Sequence, residues 1–326
     1  MTTAFAIVRP EDDLLHPVAA GALASLTETS YFGFSVPEQN LNGEVYVWFH
    51  PALRVVSAGV FIWRGFKRTT LAAEYFDFRT YLPWPDGDLD DLVLASGLRI
   101  RTETPLERWT CEWKDAARNT ELRLHSSALM PPAAPARGGH LVQAVRTRGE
   151  LILRGEKIPI DGFFTRDRSW GAPRAEDAIP IPPLGWMVGV FEPDLAFHVS
   201  GFDDPALGPA WAGRYAIPRP GESLRFGYVF RGGKTFAVTR MARLTERADD
   251  GIEPRAVRLE IDDSGGRTHV IRGDIMSCLP WHTWPNVLNY FCQTRWTWGN
   301  RVGYGDVQDM NFGDHVLRFA RVGGCG

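Results

Sequence analysis

The sequence predicts an all-β chain of sandwich or barrel type, and two observations support that prediction. Apolar residues recur mostly at every second position, the period of a strand with one buried face, whereas a helix repeats every ~3.6 residues. Turn-forming residues separate these runs, and the 33 Gly and 23 Pro of the chain suit many short strands with tight connections. We therefore expect little helix in this protein.

The segments with the clearest alternation are, in chain order, GEVYVWFHP, LRVVSAGVFIWRG, ELRLHSSAL, GELILRGEKIPIDGFF, GWMVGVFE, LAFHVSGF, LRFGYVF and AVRLEIDD. PDGD, RADDG and DDSGG lie between strands and are typical turns. Two segments are helix-like, VAAGALASLTET near the start and WPNVLNYFCQ at 284–293.

The strands are too many for one small barrel, and the 326 residues leave room for two domains. Prolines interrupt any strand over 172–185, APRAEDAIPIPPLG. We therefore expect an N-terminal β-barrel domain at 1–180 and a C-terminal one at 181–326.

Charge and composition exclude several classes of function. The net charge of −3 and the pI near 6.3 provide no basic field for nucleic acid or an anionic membrane. No stretch approaches the roughly 18 apolar residues of a membrane span, and the start of the chain has no basic segment followed by an apolar run. We expect a soluble, cytoplasmic protein, with a homodimer left open. The four scattered cysteines form no disulfide framework.

The aromatic content indicates a ligand. The chain contains 12 Trp, 19 Phe and 8 Tyr, more than a core of small aliphatic side chains needs. Aromatic walls around an apolar small molecule would account for the excess, and domain junctions are favoured places for such pockets. We therefore expect a pocket near the junction of the two domains.

Several chemistries lack their motifs. No two of the eight histidines lie two or four residues apart, so no local metal-ligand pair exists. No G-x-S-x-G elbow occurs, and neither G-x-G-x-x-G nor the phosphate loop is present. We expect no metal and no organic cofactor.

Acid–base chemistry remains, and the segment GFFTRDRSWG at 162–171 is its best candidate. On an extended strand Asp167 points to one face, whereas Arg166 and Arg168 point to the other. In an apolar cavity, desolvation would raise the pKa of Asp167 and make it a proton donor. Equally, Asp167 could cap a turn while the arginines bridge the two β halves.

Other polar residues stand among aromatic ones and are further candidates. They are Tyr31, His140, His198, Trp281, His282, Trp284 and Tyr304. A hydrogen-bonded residue in a packed barrel is the simpler explanation for any one of them. The number of such clusters favours several of them lining one cavity.

Residues 139–174 carry a resemblance to a known family. They end in an Asp–basic–x–Trp–Gly motif at 167–171 and resemble lipocalin-like hydroxyneurosporene synthase and AttH-type proteins. The similarity extends to TSYFGF and VYVWFHP early in the chain and to NRVGYGDVQDM late in it. It implies two packed lipocalin-like (calycin-type) antiparallel barrels, and water addition to isoprenoid double bonds or cyclisation without an organic cofactor. Many relatives have His where this chain has Arg168, which stays charged and cannot replace a histidine in proton transfer.

These observations predict a cofactor-independent lyase or isomerase, a hydratase, dehydratase or cyclase, acting on a hydrophobic terpenoid or aromatic molecule. Asp167 is the expected acid, with His140 or Tyr31 as its partner. Arg166 and Arg168 would position Asp167 or a substrate oxygen. The expected aromatic shield for a developing carbocation is Trp170, Trp186, Trp281 and Trp284. His198, His282 and Tyr304 complete the expected substrate contacts.

Two further hypotheses stay open. A non-catalytic lipocalin-like carrier would bind an apolar ligand and would need no buried carboxylate or imidazole facing it. An interaction protein would instead expose its aromatic side chains to a partner chain. A buried carboxylate or imidazole that faces the ligand would favour an enzyme over both of these hypotheses.

Overall fold

The computed structural model describes residues 5–174, 181–207, 223–284, 286–313 and 316–317. Nearly all of their regular structure is β-strand, so the all-β prediction is confirmed. The protein divides into two units. The first comprises 5–64 and 73–175, and the second includes 65–72 and the chain from 176 onward.

The first unit is one ten-stranded antiparallel sheet. Its strands are β1 Glu28–Val36, β2 Leu41–His50, β3 Val55–Arg64, β4 Tyr75–Pro83, β5 Leu92–Val93, β6 Arg99–Thr104, β7 Arg108–Asp115, β8 Thr120–Ala128, β9 His140–Leu153 and β10 Glu156–Ser169. Their order is β4-β3-β2-β1-β10-β9-β8-β7-β6-β5, so the pairing of β1 with β10 joins two meanders. Short 3-10 helices lie at Pro10–Asp13 and Pro37–Gln39.

This sheet curls into a half-barrel. The ring of Trp109 on β7 lies under the guanidinium of Arg166 on β10, 3.7 Å from its central carbon, although two strands separate β7 from β10. The Phe32 ring on β1 approaches the same Trp109 ring at 6.4 Å. The face that carries Phe32, Trp109 and Arg166 is therefore the concave one, and we call it the Arg166 face.

The second unit contains a closed antiparallel barrel. Its strands are β11 Leu184–Glu192, β12 Leu195–Phe202, β13 Leu224–Arg231, β14 Lys234–Arg247, β15 Pro254–Asp263, β16 Thr268–Trp284, β17 Val287–Trp298 and β18 Arg301–Phe312. Each strand pairs with the next, and β18 pairs with β11 to close the barrel. A 3-10 helix, Thr70–Ala72, lies in the segment from the early chain. A closed barrel and a curled half-barrel confirm the predicted architecture of two barrel-type sheets.

The barrel core is mostly apolar, but it also holds buried ion pairs. Arg243 and Arg247 form ion pairs with Asp203 and Asp309, and all four side chains are buried. Burial would raise the pKa of Asp309, but the charges of Arg247 and Arg243 lower it to about 2. Gly185 leaves room for this network, because a Cβ there would lie 2.5 Å from the Arg243 guanidinium.

Both helix predictions were wrong. Residues 284–293 contain the end of β16 and the start of β17, and no helix is assigned over 18–29. The start of β17, Val287–Cys292, is buried on both faces, and Asn289 alone interrupts its apolar run, so the run shows no alternation. Such a run cannot be distinguished from a buried helix by its period.

The boundary between 180 and 181 stays a prediction, because 175–180 lie outside the described residues. Residues 65–72 belong to the second unit although they lie early in the chain, so a single domain boundary cannot describe the division. This segment pairs with β16, where Lys67 N–H donates to the carbonyl of Cys278 at 2.8 Å.

Candidate active site

Strand β10 sends the charge triplet to two opposite faces of the sheet. Its register against β9 places Arg166 opposite Gln143 and Asp167 opposite Val142, without interruption. On the other side, Tyr31 of β1 lies directly opposite Asp167. The alternation expected of an extended strand is therefore present, and Asp167 points away from the Arg166 face.

Arg166 is held in a buried network at the start of the chain. It donates to Asp13 Oδ1 at 2.7 Å and to Gln143 Oε1 at 2.9 Å. Asp13 also accepts from the Trp109 indole at 3.1 Å and from the amide of Leu106. Burial lowers the pKa of Arg166 to about 10, which leaves it cationic at neutral pH.

Arg168 makes a second buried pair on the same face. It bonds to Glu28 and donates to the carbonyl of Leu14 at 2.8 Å. Glu28 also pairs with His16 Nδ1 at 2.9 Å, and the His16 ring stacks on Trp170 with centroids 4.4 Å apart. Arg166 and Arg168 thus fasten residues 13–16 to the sheet, and neither guanidinium points to the side of Asp167.

The opposite face, which we call the Asp167 face, carries tyrosines. Tyr31 lies between Asp167 on β10 and Tyr46 on β2, because each is its direct cross-strand partner. The Tyr31 and Tyr46 rings meet edge to face at 5.3 Å, and Trp48 adds another edge contact to Tyr46 at 5.4 Å. Tyr31 is fully buried and Asp167 is only 8% exposed.

His140 and two hydroxyls lie beside Asp167 on this face. His140 is opposite Ser169, two positions along β9 from Val142, so it is a diagonal neighbour of Asp167. Ser169 Oγ lies 2.7 Å from Thr29 Oγ1 and accepts from Arg174 at 2.9 Å. The three predicted catalytic residues therefore share one face of one sheet.

Burial changes the protonation of this cluster. It raises the pKa of Asp167 to about 7, against the opposing charges of Arg174, Arg166 and Arg168. Burial, aided by the charge of Arg174, lowers the pKa of His140 to about 4. Burial, followed by the charge of Asp167, raises the pKa of Tyr46 well above its usual value. At neutral pH the face thus presents a carboxyl close to half protonation, a neutral imidazole and a neutral phenol.

This arrangement can give and take a proton. A carboxyl with a pKa near the working pH is both a usable acid and, after transfer, a usable base. The neutral imidazole can accept a proton from water or relay one. The electron-rich faces of aromatic rings such as those of Tyr31, Tyr46 and Trp48 can stabilise a developing positive charge.

The second unit has its own buried polar cluster, centred on His198. The His198 ring is fully buried among Trp186, Phe226 and Tyr228, with centroids at 5.3, 5.5 and 5.9 Å. Asp306 and Gln293 are also fully buried and are paired across β18 and β17. The structure thus brings together the predicted pair Trp186 and His198.

The other predicted residues of the second unit lie elsewhere. Trp281 and His282 line an open cavity of about 790 Å³ together with Phe66, Tyr290 and acidic residues after β14. Trp284 ends β16, partly exposed, and Tyr304 pairs with Arg295 and Val190. These four side chains belong to neither the Asp167 face nor the His198 cluster.

Sequence reasoning missed Tyr46, Arg174 and Asp13. Tyr46 belongs to a strand buried on both faces, so its sequence looked like ordinary core. Its direct pairing with Tyr31 depends on register, which a single sequence does not contain. Asp13 had one usable signal: three consecutive acidic residues, Glu11–Asp13, in the N-terminal segment of a chain that must neutralise two buried arginines.

Two negative findings apply to the described residues alone. Among them, no three His, Cys, Asp or Glu side chains converge as metal ligands would. No helix in the same ranges is long and apolar enough to cross a membrane.

Residues 9–312 match a family described as a domain of unknown function, DUF7064. The chain belongs to this family. No curated protein matches the sequence. Among solved structures, the chain is similar to kievitone hydratase from Nectria haematococca, with a TM-score of 0.52, 15% identity and 88% of each chain covered. It is also similar to an AttH-type protein from Nitrosomonas europaea, with a TM-score of 0.55, 15% identity, and 92% of this chain and 99% of that chain covered. These likenesses confirm the fold that the resemblance implied.

Proposed function

We propose that this protein is an acid–base lyase or isomerase that needs no organic cofactor and acts on a hydrophobic small molecule at the Asp167 face. The observation that carries the proposal is Asp167 itself, a buried carboxyl with its pKa raised to about 7 and paired across the strands with Tyr31. A structural carboxylate would instead be paired directly with a cation, as Asp13 is with Arg166 and Glu28 is with Arg168.

The proposed first step is proton transfer from Asp167 to the substrate. In a hydration, the acid proton forms a C–H bond at one alkene carbon and the π pair is consumed, which leaves a carbocation and the Asp167 carboxylate. Water then forms a C–O bond at the cation and gives one proton to Asp167 or His140. Dehydration is the reverse, and cyclisation replaces the water by a second nucleophile of the substrate.

The neighbouring groups have supporting roles in this proposal. The phenols of Tyr31 and Tyr46 orient the carboxyl or a substrate oxygen, and His140 takes the proton from water. Tyr46 and Trp48 face the carbocation with their rings. Arg166 and Arg168 receive a positioning role only, because their guanidiniums are engaged on the opposite face.

The substrate class follows from the surroundings and from the likeness in fold. The buried rings of Tyr31, Tyr46 and Trp48 surround the carboxyl with mostly apolar atoms, which suits an isoprenoid or aromatic compound. One of the solved structures with a similar fold is named as a kievitone hydratase, an enzyme that adds water. A terpenoid or aromatic alkene is accordingly our proposed substrate.

A passive carrier is the competing hypothesis, and it fits the Asp167 face less well. Desolvating a carboxyl without neutralising it costs stability, which a carrier has no reason to accept. In an enzyme the same desolvation has a use, because it raises the pKa of the carboxyl and makes it an acid at neutral pH.

The test begins with the purified protein. Native mass spectrometry and solvent extraction identify any small molecule that co-purifies, and terpenoid and aromatic alkenes form the starting panel. Turnover is a mass gain or loss of one water, or isomerisation without a change of mass. We expect Asp167→Asn to lower turnover by about 10²- to 10⁴-fold while the fold and ligand binding remain.

The matched control is Asp161→Asn, the same change on the same strand at an exposed carboxylate paired with Arg146. We expect this variant to keep wild-type turnover. Full activity in Asp167→Asn would refute the proposal. Ligand binding without turnover by any variant, wild type included, would establish the carrier.

A further inference from the structure

We propose that Cys278 and Cys292 are a modification site that closes reversibly into a disulfide across the β16–β17 hairpin. The two thiols are separate in this structure and have no part in the proposed chemistry at Asp167. They lie in the other unit, and the proposal is independent of the function above.

The two sulfurs are positioned for the bond. Cys278 and Cys292 are direct cross-strand partners in the β16–β17 register. Both side chains are fully buried in the barrel core, and their Sγ atoms lie 3.3 Å apart. A small rotation of the two side chains brings them to bonding distance, with no move of either strand.

The backbone favours the same conclusion. The amide of Cys278 donates to the carbonyl of Gly65 at 2.9 Å, and the carbonyl of Cys278 accepts from Lys67 N–H at 2.8 Å. Both backbone groups of Cys278 thus point away from β17, which makes Cys278 and Cys292 a non-hydrogen-bonded pair. Such pairs have Cα atoms about 4.5 Å apart, within the range of about 4.4 to 6.8 Å that a disulfide spans.

The oxidant is a small-molecule disulfide such as oxidised glutathione. One cysteine, as thiolate, attacks the oxidant, forms a mixed disulfide and releases one reduced thiol. The second cysteine displaces the other small thiol and closes the S–S bond. Two protein S–H bonds are lost, and their two protons and two electrons convert the small disulfide into two thiols.

Access limits the rate of this reaction. Burial raises the pKa of the Cys292 thiol, so little thiolate exists while the hairpin is closed. The reaction therefore needs a local opening of β16 from β17, and mild denaturant accelerates it.

The bond would fix one wall of the open cavity. Trp281 follows Cys278 on β16, and Tyr290 precedes Cys292 on β17, and both line that cavity. Phe66 also lines the cavity, in the segment that pairs with Cys278. Oxidation thus restrains the strands that carry two of its aromatic side chains.

The experiment uses the full chain and needs no knowledge of the ligand. The protein is incubated with oxidised glutathione, once without urea and once with urea below the unfolding transition. It is then unfolded and alkylated, and its peptides are mapped by mass spectrometry. We expect a linked pair of peptides containing Cys278 and Cys292, formed faster in urea and released by dithiothreitol. Denaturant unfolding of the oxidised protein should show a higher midpoint than that of the reduced protein.

Cys292→Ala is the control, with Cys111→Ala as a matched buried-thiol control that leaves the pair intact. We expect oxidation to raise the midpoint in Cys111→Ala and not in Cys292→Ala. Full alkylation of both Cys278 and Cys292 after the oxidising incubation in urea would overturn the proposal, and so would glutathione adducts that never resolve. The peptide map of the wild-type chain decides the question even where a variant fails to fold.

Discussion

The two faces of strand β10 treat buried charge in opposite ways. On the Arg166 face, two guanidiniums meet two carboxylates, Asp13 and Glu28, and every charge has a counter-charge within bonding distance. On the Asp167 face, the Asp167 carboxyl lies near Tyr31 and Tyr46, and burial outweighs the opposing charge of Arg174 in setting its pKa. Arg166 and Asp167 are adjacent in the chain but serve different purposes, because successive side chains of a strand point to opposite faces of the sheet.

The difference shows how a barrel-type protein can hold an acid. The paired face supplies stability and fastens the N-terminal segment, which leaves the other face free to carry a group whose burial is costly. The charge triplet Arg166–Arg168 is thus neither a solvent-exposed run of charges nor a single network of ion pairs.

The largest effect on stability should come from breaking the Arg166 face at Asp13. Asp13→Ala leaves the buried Arg166 without its counter-charge and removes the acceptor of the Trp109 indole. We expect a loss of about 3–5 kcal/mol in the free energy of unfolding, measured by urea denaturation.

The control for this change is Asp161→Ala, which breaks an exposed pair with Arg146 and should cost less than about 1 kcal/mol. The double variant Asp13→Ala, Arg166→Met removes both charges and should recover a large part of the loss. A double variant that is as unstable as Asp13→Ala would show that packing, and not the unpaired charge, explains the effect.

The second prediction concerns pH and the Asp167 face. The pKa of Asp167 is about 7 in the folded protein and about 3.8 as an ordinary carboxyl, so the folded state holds a proton that the unfolded state releases between these values. Its contribution to stability is therefore full below pH ~4, falls as pH rises, and is lost above pH ~7, by at most about 4 kcal/mol. We expect Asp167→Asn to match wild type near pH 4 and to be more stable at pH 8.

His140 must be separated from this measurement because its sign is opposite. Its lowered pKa means that the folded state resists a proton which the unfolded state binds, so stability is lost as pH falls from about 6.5 to about 4. Comparing Asp167→Asn with wild type at each pH cancels the His140 contribution. An equal pH dependence in the two proteins would show that Asp167 is ionised in the folded state, and the proposed acid would then be wrong.

The sequence was sufficient for much of this picture. Period-two alternation predicted the sheets, and the same alternation predicted that Asp167 and Arg166 point to opposite faces. The Asp–basic–x–Trp–Gly motif at 167–171 led to the fold that the structural comparisons confirm. Strands buried on both faces are the weak point, because the apolar run at 284–293, which includes the start of β17, fits a helix as well as a strand.

The site was harder to predict from the sequence than the fold. The partners of each site residue depend on strand register and on segments that are distant in the chain. Tyr31 and His140 were selected from their aromatic company, and register places them beside Asp167. Tyr46 and Arg174 required that register to be known. Asp13 is separated from Arg166 by 153 positions, a pairing that no local pattern contains.

The smallest expected effect sharpens the separation of the two faces. His16→Ala removes a bond to Glu28 and a ring stacked on Trp170, but it leaves the pair of Glu28 with Arg168 in place. We expect a loss of about 1–2 kcal/mol in the free energy of unfolding, against almost none for His125→Ala at an exposed position of β8. The Asp167 carboxyl, followed by its infrared C=O stretch against pH, should titrate in His16→Ala as in wild type, because His16 acts on the Arg166 face. A shifted titration would show that the two faces are coupled through β10, and Arg168 would then be the residue through which the N-terminal segment influences the acid.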